Sequence, residues 1–168
     1  MGKKTAQGNI RCLGFSESMS SSKLYITPRC WKQLVRKMPI PCVDTIVYRG
    51  ARVLLGWRTI LPYRNVWALL GGRMLYGESF EDTSKRNCKE SGLTVHQPEY
   101  LGIFPIKFPS GRHDLVLCMS AKYIRGEPRP TRELSKYVWT TKDAADEIHP
   151  IGGNYLKMLR RWRKGQNF

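Results

Sequence analysis

The stretch Gly71–Leu93, GGRMLYGESFEDTSKRNCKESGL, carries the pattern that decides the fold of this chain. The apolar run Val66–Leu70 leads into its two glycines, and a polar segment rich in acidic residues follows them. A short apolar run bounded by glycines is typical of a buried strand. The stretch therefore predicts a strand, a glycine loop and an acidic helix over Ser79–Ser91.

The spacing of charges within the predicted helix suits a site for a metal-bound diphosphate. Asp82, Arg86 and Glu90 are four positions apart, so they would share one helix face. Glycines let the backbone approach a ligand closely, and oxygen ligands on one helix face suit a hard cation such as Mg²⁺. The alternative interpretation is an amphipathic surface helix whose acidic residues are incidental.

The same stretch resembles the Nudix box, the signature of hydrolases that act on nucleoside diphosphates linked to another group. In that signature five residues separate a glycine from a glutamate, and seven more separate the glutamate from an arginine. Gly72, Glu78 and Arg86 match this spacing. The resemblance implies that Glu78 and Arg86 support the box. It also implies the α/β Nudix fold, a mixed sheet sandwiched between helices.

The resemblance weakens after the arginine, where ordinary members place the glutamates that bind two or three metal ions. Asn87 and Ser91 occupy two of these positions, and the segment is one residue short before its final glycine. Only the glutamate at Glu90 remains of the three. The resemblance thus implies one Mg²⁺, with Mn²⁺ as an alternative, held by Glu90 and by the backbone around Gly72.

A thinned box is also a feature of the GDP-mannose mannosyl hydrolases, which bind a single magnesium ion and attack the sugar carbon instead of phosphorus. Several separate stretches resemble that family and occur in its order. They are PCVDTIVYRG, LLGWRT, VWALLGGR, RHDLVLCMSAKY, and the segment from SKYVWTTKDA through IHPIGGNYL. The resemblance implies a nucleotide-sugar substrate such as GDP-mannose, attack at the anomeric carbon, and a homodimer.

The histidines are the first candidates for a general base. His113 opens an apolar strand, where a lone histidine is usually structural, yet it stands in the RHDLVL stretch where the resemblance places the base. A neutral imidazole can take a proton from water near pH 7, which contributes about 10²–10⁴ in rate. His149 could reach the substrate from the C-terminal segment, and His96 is expected to be solvated.

Two arginines and one aspartate complete the site that the resemblance implies. Substitution at the sugar carbon expels a nucleoside diphosphate, and cations must absorb the developing charge. The resemblance gives this role to Arg58 and Arg73, although either could be an ordinary surface or ion-pair arginine. Asp44 lies in an otherwise apolar strand and would need a partner if it is buried. It is expected to bind substrate or to orient an arginine.

Composition and cysteine usage indicate one cytoplasmic domain. The chain has 168 residues with 41% hydrophobic content, enough for a single sizeable core. No stretch approaches the roughly 20 apolar residues that span a bilayer, and the N-terminus lacks a signal-peptide pattern. Five scattered cysteines without a CxxC pair predict reduced thiols. We expect a basic, flexible leader over residues 1–24 and one domain over residues 25–168.

A net charge of +16 is more than a sugar-nucleotide hydrolase requires. Near the C-terminus, Lys157, Arg160, Arg161 and Lys164 fall at helical spacing on one face, opposite an apolar stripe. The simplest interpretation is a solvated basic face. The alternative is a surface for RNA or another polyanion, because clustered cations drive salt-dependent association with phosphates. No sequence-specific nucleic-acid motif accompanies the cluster.

Strand and helix patterns elsewhere support the α/β assignment. Thr27 and Pro28 predict the cap and first residue of a helix that ends near Met38. Strands are expected at Val43–Tyr48, Arg52–Trp57, Val66–Leu70, Tyr100–Phe108, His113–Tyr123 and Tyr137–Thr140, with later helices at Lys142–Glu147 and Asn154–Lys164.

Three functions are consistent with these patterns. The first is magnesium-dependent hydrolysis of a nucleotide sugar at carbon. The second is a Nudix hydrolase that attacks phosphorus in another capped or dinucleoside diphosphate. The third is a catalytically weak Nudix scaffold that binds RNA or ribonucleoprotein, which the thinned box and the positive charge favour. Magnesium-dependent turnover and the position of bond cleavage distinguish them.

Overall fold

The computed structural model describes residues 26–141 and 151–165 of the chain. In chain order the elements are α1 (Pro28–Lys37), β1 (Ile40–Arg49), β2 (Arg52–Arg58), β3 (Val66–Ala68), β4 (Leu70–Arg73), α2 (Phe80–Glu90), β5 (Thr94–Val95), β6 (Glu99–Lys107), β7 (His113–Arg125), β8 (Leu134–Thr141) and α3 (Gly153–Gly165). The leader over residues 1–24, the helix expected at Lys142–Glu147 and His149 lie outside the described residues.

Strand β1 is the centre of a mixed sheet. It runs parallel to β7 and antiparallel to β2 and β4. On one side β2 also pairs with β3 and β8, and on the other β7 pairs with β6 and β5. The parallel pairing of β1 with β7 joins segments about 70 residues apart, from Ile40 opposite Asp114 to Tyr48 opposite Lys122. The predicted mixed sheet is confirmed.

Helices cover both faces of this sheet. On one face the hydroxyl of Thr45 in β1 lies 2.7 Å from that of Ser84 in α2. On the other, the ring of Tyr48 packs 5.3 Å from the indole of Trp162 in α3. Because successive side chains of a strand point to opposite faces, α2 and α3 lie on opposite sides of the sheet. The predicted sandwich of helices around a mixed sheet is therefore confirmed.

Local signals in the sequence set several element boundaries. The side-chain oxygen of Thr27 accepts a hydrogen bond from the backbone of Cys30 and caps α1, as predicted. The β1–β2 hairpin turns at Gly50, whose φ of 57° is a left-handed conformation that favours glycine. Cys42, Cys88 and Cys118 are free, buried thiols, and Cys30 is buried as well. No helix in the described part of the chain is long and apolar enough to cross a membrane.

The expected glycine loop is a strand instead. Gly71 and Gly72 belong to β4, which pairs with β1 through Gly71 opposite Asp44 and Gly72 opposite Val43. The single strand expected at Val66–Leu70 is divided between β3 and β4. The loop lies after Arg73, and the glycines serve close packing within the sheet. A Cβ atom on Gly71 would lie 1.8 Å from Oδ1 of Asp44.

Helix α2 begins with a capping box. Asp82, the first acidic residue of the helix face that was expected to bind metal, is part of this box. The backbone nitrogen of Asp82 donates to the Ser79 hydroxyl over 3.0 Å, and Asp82 Oδ2 accepts from the Ser79 backbone over 3.1 Å. The expectation that Asp82 acts together with Arg86 and Glu90 is therefore wrong for Asp82. Arg86 and Glu90 do interact across one turn, at 3.2 Å.

Candidate active site

A cavity of about 260 Å³ opens where β1 and β4 meet the start of β7. Residues of α1 and α3 line it as well, so it lies on the sheet face opposite most of α2. Four residues that the sequence predicted for the site are brought together in its lining: Asp44, Arg58, Gly72 and Arg73. The lining also contains residues that the sequence did not single out, among them Trp31, Tyr63, Phe108, Arg112, Asp114, Arg132, Glu133 and Tyr155.

A second cavity of about 220 Å³ adjoins the first and extends toward α2. Both cavities share one wall, formed by Arg58, Gly71, Gly72, Arg73, Arg132 and Glu133. The far side of the second cavity includes the box residues Arg86, Asn87, Glu90 and Ser91. The two cavities together form a groove, called here the arginine groove, that reaches from Trp31 to the box helix.

Asp44 is a buried carboxyl group within the first cavity. Its side chain occupies the space above Gly71 that any larger residue would fill. Burial raises the pKa of Asp44 to about 7, opposed by the charge of Arg58 and reinforced by the carboxylates of Asp114 and Glu133. A carboxyl group with this pKa can accept or donate a proton near neutral pH.

Arg58 is held by an ion pair that crosses a long sequence distance. Its Nη1 atom donates to Oε2 of Glu133 over 2.6 Å, and its Nε atom donates to the carbonyl of Pro62 over 2.8 Å. The Arg58 side chain is only 14% exposed. Glu133 therefore fixes Arg58 in the groove and compensates its charge. The sequence predicted Arg58 but contained no signal for this partner in a distant loop.

A second arginine–carboxylate pair lies at the start of β7. Nε of Arg112 donates to Oδ1 of Asp114 over 2.6 Å, and Nη2 donates to Oδ2 over 2.7 Å. The thiol of Cys42 donates to the same carboxylate over 3.7 Å, and burial raises the pKa of Cys42 to about 12. Strand alternation in RHDLVL could have identified this pair, because residues 112 and 114 share a face.

Two further arginines bring positive charge without a matching carboxylate. The guanidinium of Arg73 lies 4.2 Å from the ring centre of Trp31 in α1, which places α1 beside the cavity. Arg132 is exposed on the shared wall of the groove. Among residues 26–141 and 151–165, neither side chain makes an ion pair. These two arginines leave the groove with an excess of positive charge.

Aromatic rings form the apolar part of the first cavity. Tyr63 packs edge-on against Phe108 and Tyr155, with ring centres 5.3 and 5.8 Å apart. Asn154 at the start of α3 donates to the Tyr63 hydroxyl. Trp31 lines the same cavity. The groove therefore combines flat apolar surfaces with cations, a combination that suits a ligand with a ring and a phosphate group.

Of the two predicted histidines, only His113 belongs to the described residues, and it does not line the groove. His113 is the first residue of β7, next to Asp114, and alternation places their side chains on opposite faces of the sheet. The lining of both cavities excludes His113, and its Nε2 atom is buried without a hydrogen-bond partner in the described part of the chain. The geometry gives no support to His113 as the base at this site. His149 lies outside the described residues.

Glu78 and Arg86 fasten the loop after β4 to α2, as expected of residues that support the box. Nε of Arg86 donates to Glu78 over 2.6 Å, and Nη2 donates to the carbonyl of Arg73 over 2.8 Å. Glu78 also accepts from the backbone of Leu75 and the hydroxyl of Thr83, each over 2.9 Å. Hydrogen bonding from Arg86 is the main reason that the pKa of Glu78 is lowered to about 2.

This network leads to a stability prediction. Arg86→Met should lower the free energy of unfolding by about 2 kcal/mol, because Glu78 and the Arg73 carbonyl each lose a charged donor. Lys89→Met, an exposed cation on the same helix, is the control and should stay within about 0.5 kcal/mol of the parent. Urea denaturation measures both. Equal stabilities of the two variants would contradict a structural role for Arg86.

The side chains present do not fit a divalent cation held by the protein. No cluster of three His, Cys, Asp or Glu side chains suited to a metal ion occurs within residues 26–141 and 151–165. Glu90 lines the second cavity, but it is 58% exposed and its Oε1 atom accepts from Arg86. Neutral Asn87 and Ser91 occupy the neighbouring positions. One carboxylate is far short of the roughly six to eight oxygen ligands of a calcium site, and a magnesium ion at Glu90 would take most of its ligands from water and substrate phosphates.

A family model and two curated proteins match this chain. The NUDIX domain model matches residues 38–162. The chain is 32% identical over 115 residues to the NAD-capped RNA hydrolase NudC of Erwinia tasmaniensis, covering 67% of this chain and 42% of that protein. It is 32% identical over 75 residues to the low-salt glycan biosynthesis protein Agl8 of Haloferax volcanii, covering 44% and 48%. The chain thus spans less than half the length of either relative.

The fold agrees with solved structures of the same family. A NUDIX hydrolase from Nitrosomonas europaea superimposes with a TM-score of 0.69 at 15% identity, covering 78% of this chain and 93% of that one. This similarity confirms the predicted Nudix fold, while the resemblance to GDP-mannose mannosyl hydrolases stays a prediction. The family model matches well over half of the 168 residues, from the end of α1 through most of α3. The chain belongs to the NUDIX domain family.

Proposed function

We propose that this chain hydrolyses a nucleoside diphosphate linked to a second group, with a nucleotide sugar as the first candidate. The observation that carries this proposal is the arginine groove. It places the positive charges of Arg73 and Arg132 beside aromatic rings and beside Asp44, a buried carboxyl that titrates near neutral pH. The cations suit a diphosphate, and the rings suit a base or a sugar.

Each part of the groove has a chemical role in this proposal. Arg58 and Arg73 neutralise the charge that develops on the nucleoside diphosphate as it leaves. Glu133 keeps Arg58 in place through the 2.6 Å ion pair. Asp44 accepts the proton of the attacking water. This role passes from His113 to Asp44 because Asp44 lines the groove and His113 does not.

Two observations support a nucleotide sugar and attack at the anomeric carbon. The box keeps one of three glutamates, as in the GDP-mannose mannosyl hydrolases that the sequence resembles. The relative from Haloferax volcanii bears the name of a glycan biosynthesis protein. A GDP-mannose-like compound is accordingly the first substrate to test, with Mg²⁺ and with Mn²⁺ supplied in solution.

The chemistry is tested with a panel of nucleotide sugars, ADP-ribose and dinucleotides in water enriched in heavy oxygen. Attack at carbon should place the label in the free sugar and leave the released nucleoside diphosphate unlabelled. Mass spectrometry of both products decides the result. Label in a phosphate would overturn attack at carbon and would favour a Nudix hydrolase that attacks phosphorus. Absence of turnover across the panel would contradict the proposal as a whole.

A second candidate function is action on, or binding to, RNA. Helices α1 and α3 carry no acidic residue. They expose nine cations, which are Arg29, Lys32, Arg36, Lys37, Lys157, Arg160, Arg161, Arg163 and Lys164. Trp31 of α1 and Tyr155 of α3 line the groove, so both basic helices lie beside it. The match to a NAD-capped RNA hydrolase supports this candidate.

A further inference from the structure

We infer that the arginine groove binds the diphosphate of its substrate directly through Arg73 and Arg132, without a divalent cation held by the protein. The inference rests on the proposed function, since it concerns how the same groove holds a nucleoside diphosphate. It differs from the magnesium site that the box resemblance implies.

Asn87 and Ser91 stand at the two box positions that lack a glutamate. Their side chains make structural hydrogen bonds and offer no carboxylate to a metal ion. The Nδ2 atom of Asn87 donates to the carbonyl of Val43 over 3.4 Å, and its Oδ1 atom accepts from Arg86 over 3.1 Å. The Ser91 hydroxyl accepts from Tyr137 over 3.3 Å. Asn87 and Ser91 are 5% and 2% exposed. These polar groups hold α2 against the sheet and are already satisfied there.

The carboxylates of Glu78 and Glu90 are both hydrogen-bonded to Arg86. Both oxygens of Glu78 accept from Arg86, over 2.6 and 3.0 Å. Glu90 accepts from the same guanidinium over 3.2 Å. A cation placed here would meet the positive charge of Arg86 as well as a single exposed carboxylate. The carboxylates are therefore already committed to Arg86, and only the exposed Glu90 could turn toward a metal ion.

The charges of the first cavity leave two arginines in excess. Arg58 is compensated by Glu133, and Arg112 is compensated by Asp114. Asp44, whose pKa is about 7, contributes at most a partial negative charge near neutral pH. The remaining cations of the lining are Arg73 and Arg132. Two guanidinium groups match the two negative charges of a diphosphate diester.

The position of Arg73 suits a phosphate ligand. Its guanidinium carbon lies over the ring of Trp31, 4.2 Å from the ring centre, so the indole holds the side chain at the edge of the cavity. Guanidinium groups bind phosphate through paired, charge-assisted hydrogen bonds. Arg132 lies on the wall that both cavities share. Gly71 and Gly72 belong to the same shared wall, so a diphosphate between the two side chains would lie along β4.

The test is calorimetric titration of the whole chain with GDP and with inorganic pyrophosphate, in EDTA and again in excess Mg²⁺. We expect the affinity for GDP to agree within about threefold between the two conditions. Arg73→Gln and Arg132→Gln should each weaken binding by about 10- to 100-fold in EDTA, the loss expected for charged hydrogen bonds. Arg125→Gln, an exposed arginine outside both cavities, is the matched control and should bind like the parent.

The outcomes separate this inference from the proposed function. Binding that requires Mg²⁺ would overturn the arginine-only site and would leave the proposed nucleotide hydrolase intact. Unchanged affinity in Arg132→Gln, with circular dichroism showing a folded chain, would also overturn it. Failure of GDP and pyrophosphate to bind in either condition would count against both proposals. Metal-independent binding that both arginine variants weaken would support the inference.

Discussion

Asp44→Asn is expected to lower kcat by about two to four decades, the usual contribution of a general base. The amide keeps the shape of the carboxyl group, so it fits above Gly71, but it cannot accept a proton from water. The KM should change little, because the proposed binding mode places the substrate's phosphates on arginines and not on Asp44. Steady-state kinetics on the substrate identified by the panel measures both constants. A variant with the rate of the parent would exclude Asp44 as the base.

The pH dependence follows from the same group. A base must be deprotonated, so kcat/KM of the parent should rise with pH and level off above the pKa of Asp44, about 7. The variant should lose this acid limb. If the limb persists in Asp44→Asn, another group with a similar pKa accepts the proton.

The stability of Asp44→Asn should change in the opposite direction to its activity. Burial raises the pKa of Asp44 from 3.8 to about 7, so the folded state binds the proton more tightly than the unfolded state. The stability of the parent therefore falls as pH rises from about 4 to about 7. The variant carries no buried charge and should be more stable than the parent above pH 7. Asp114→Asn is the contrasting control, because it breaks the ion pair with Arg112 and should destabilise.

The sequence predicted most elements of the fold because their signals are local. Strand periodicity and turn glycines identified the hairpin at Gly50, and the box spacing identified α2 within one residue at each end. The β4 strand was not recognised, since two glycines favour a loop when neighbours in space are unknown. Its pairing with β1 satisfies the backbone there, and the absence of Cβ atoms admits Asp44 and Asn87. Both the strand pairing and the close packing depend on tertiary structure, which a local sequence pattern does not contain.

Only part of the site was predicted, because its other contacts also depend on tertiary structure. Asp44, Arg58 and Arg73 were assigned through the family resemblance, and they line one cavity. His113 was also assigned through the resemblance, and strand alternation turns its neighbour Asp114 toward the cavity. Glu133 was missed because its partner Arg58 is 75 residues away, and no local pattern connects them. Long-range ion pairs of this kind become visible only when the strands are placed.

The exposed cations of α1 and α3 predict that salt strongly weakens binding to RNA. On α3 the cations Lys157, Arg160, Arg161 and Lys164 are exposed, while Met158 and Trp162 are buried against the sheet. Contact of four cations with four phosphates of a single strand gives a log–log salt slope of about −3. The affinity for a single-stranded RNA should therefore fall about 50-fold between 50 and 200 mM salt.

Reversal of these four charges to glutamate should abolish detectable RNA binding, because each attractive contact becomes a repulsive one. Nucleotide turnover should persist, since none of the four side chains lines the groove. Reversal of Lys85 and Lys89 on α2 is the control, because that helix lies on the other face of the sheet and its charges are balanced. Fluorescence anisotropy with a labelled oligonucleotide measures the affinities. If the parent fails to bind at about 50 mM salt, or if both reversals weaken binding equally, the basic face is a solvated surface.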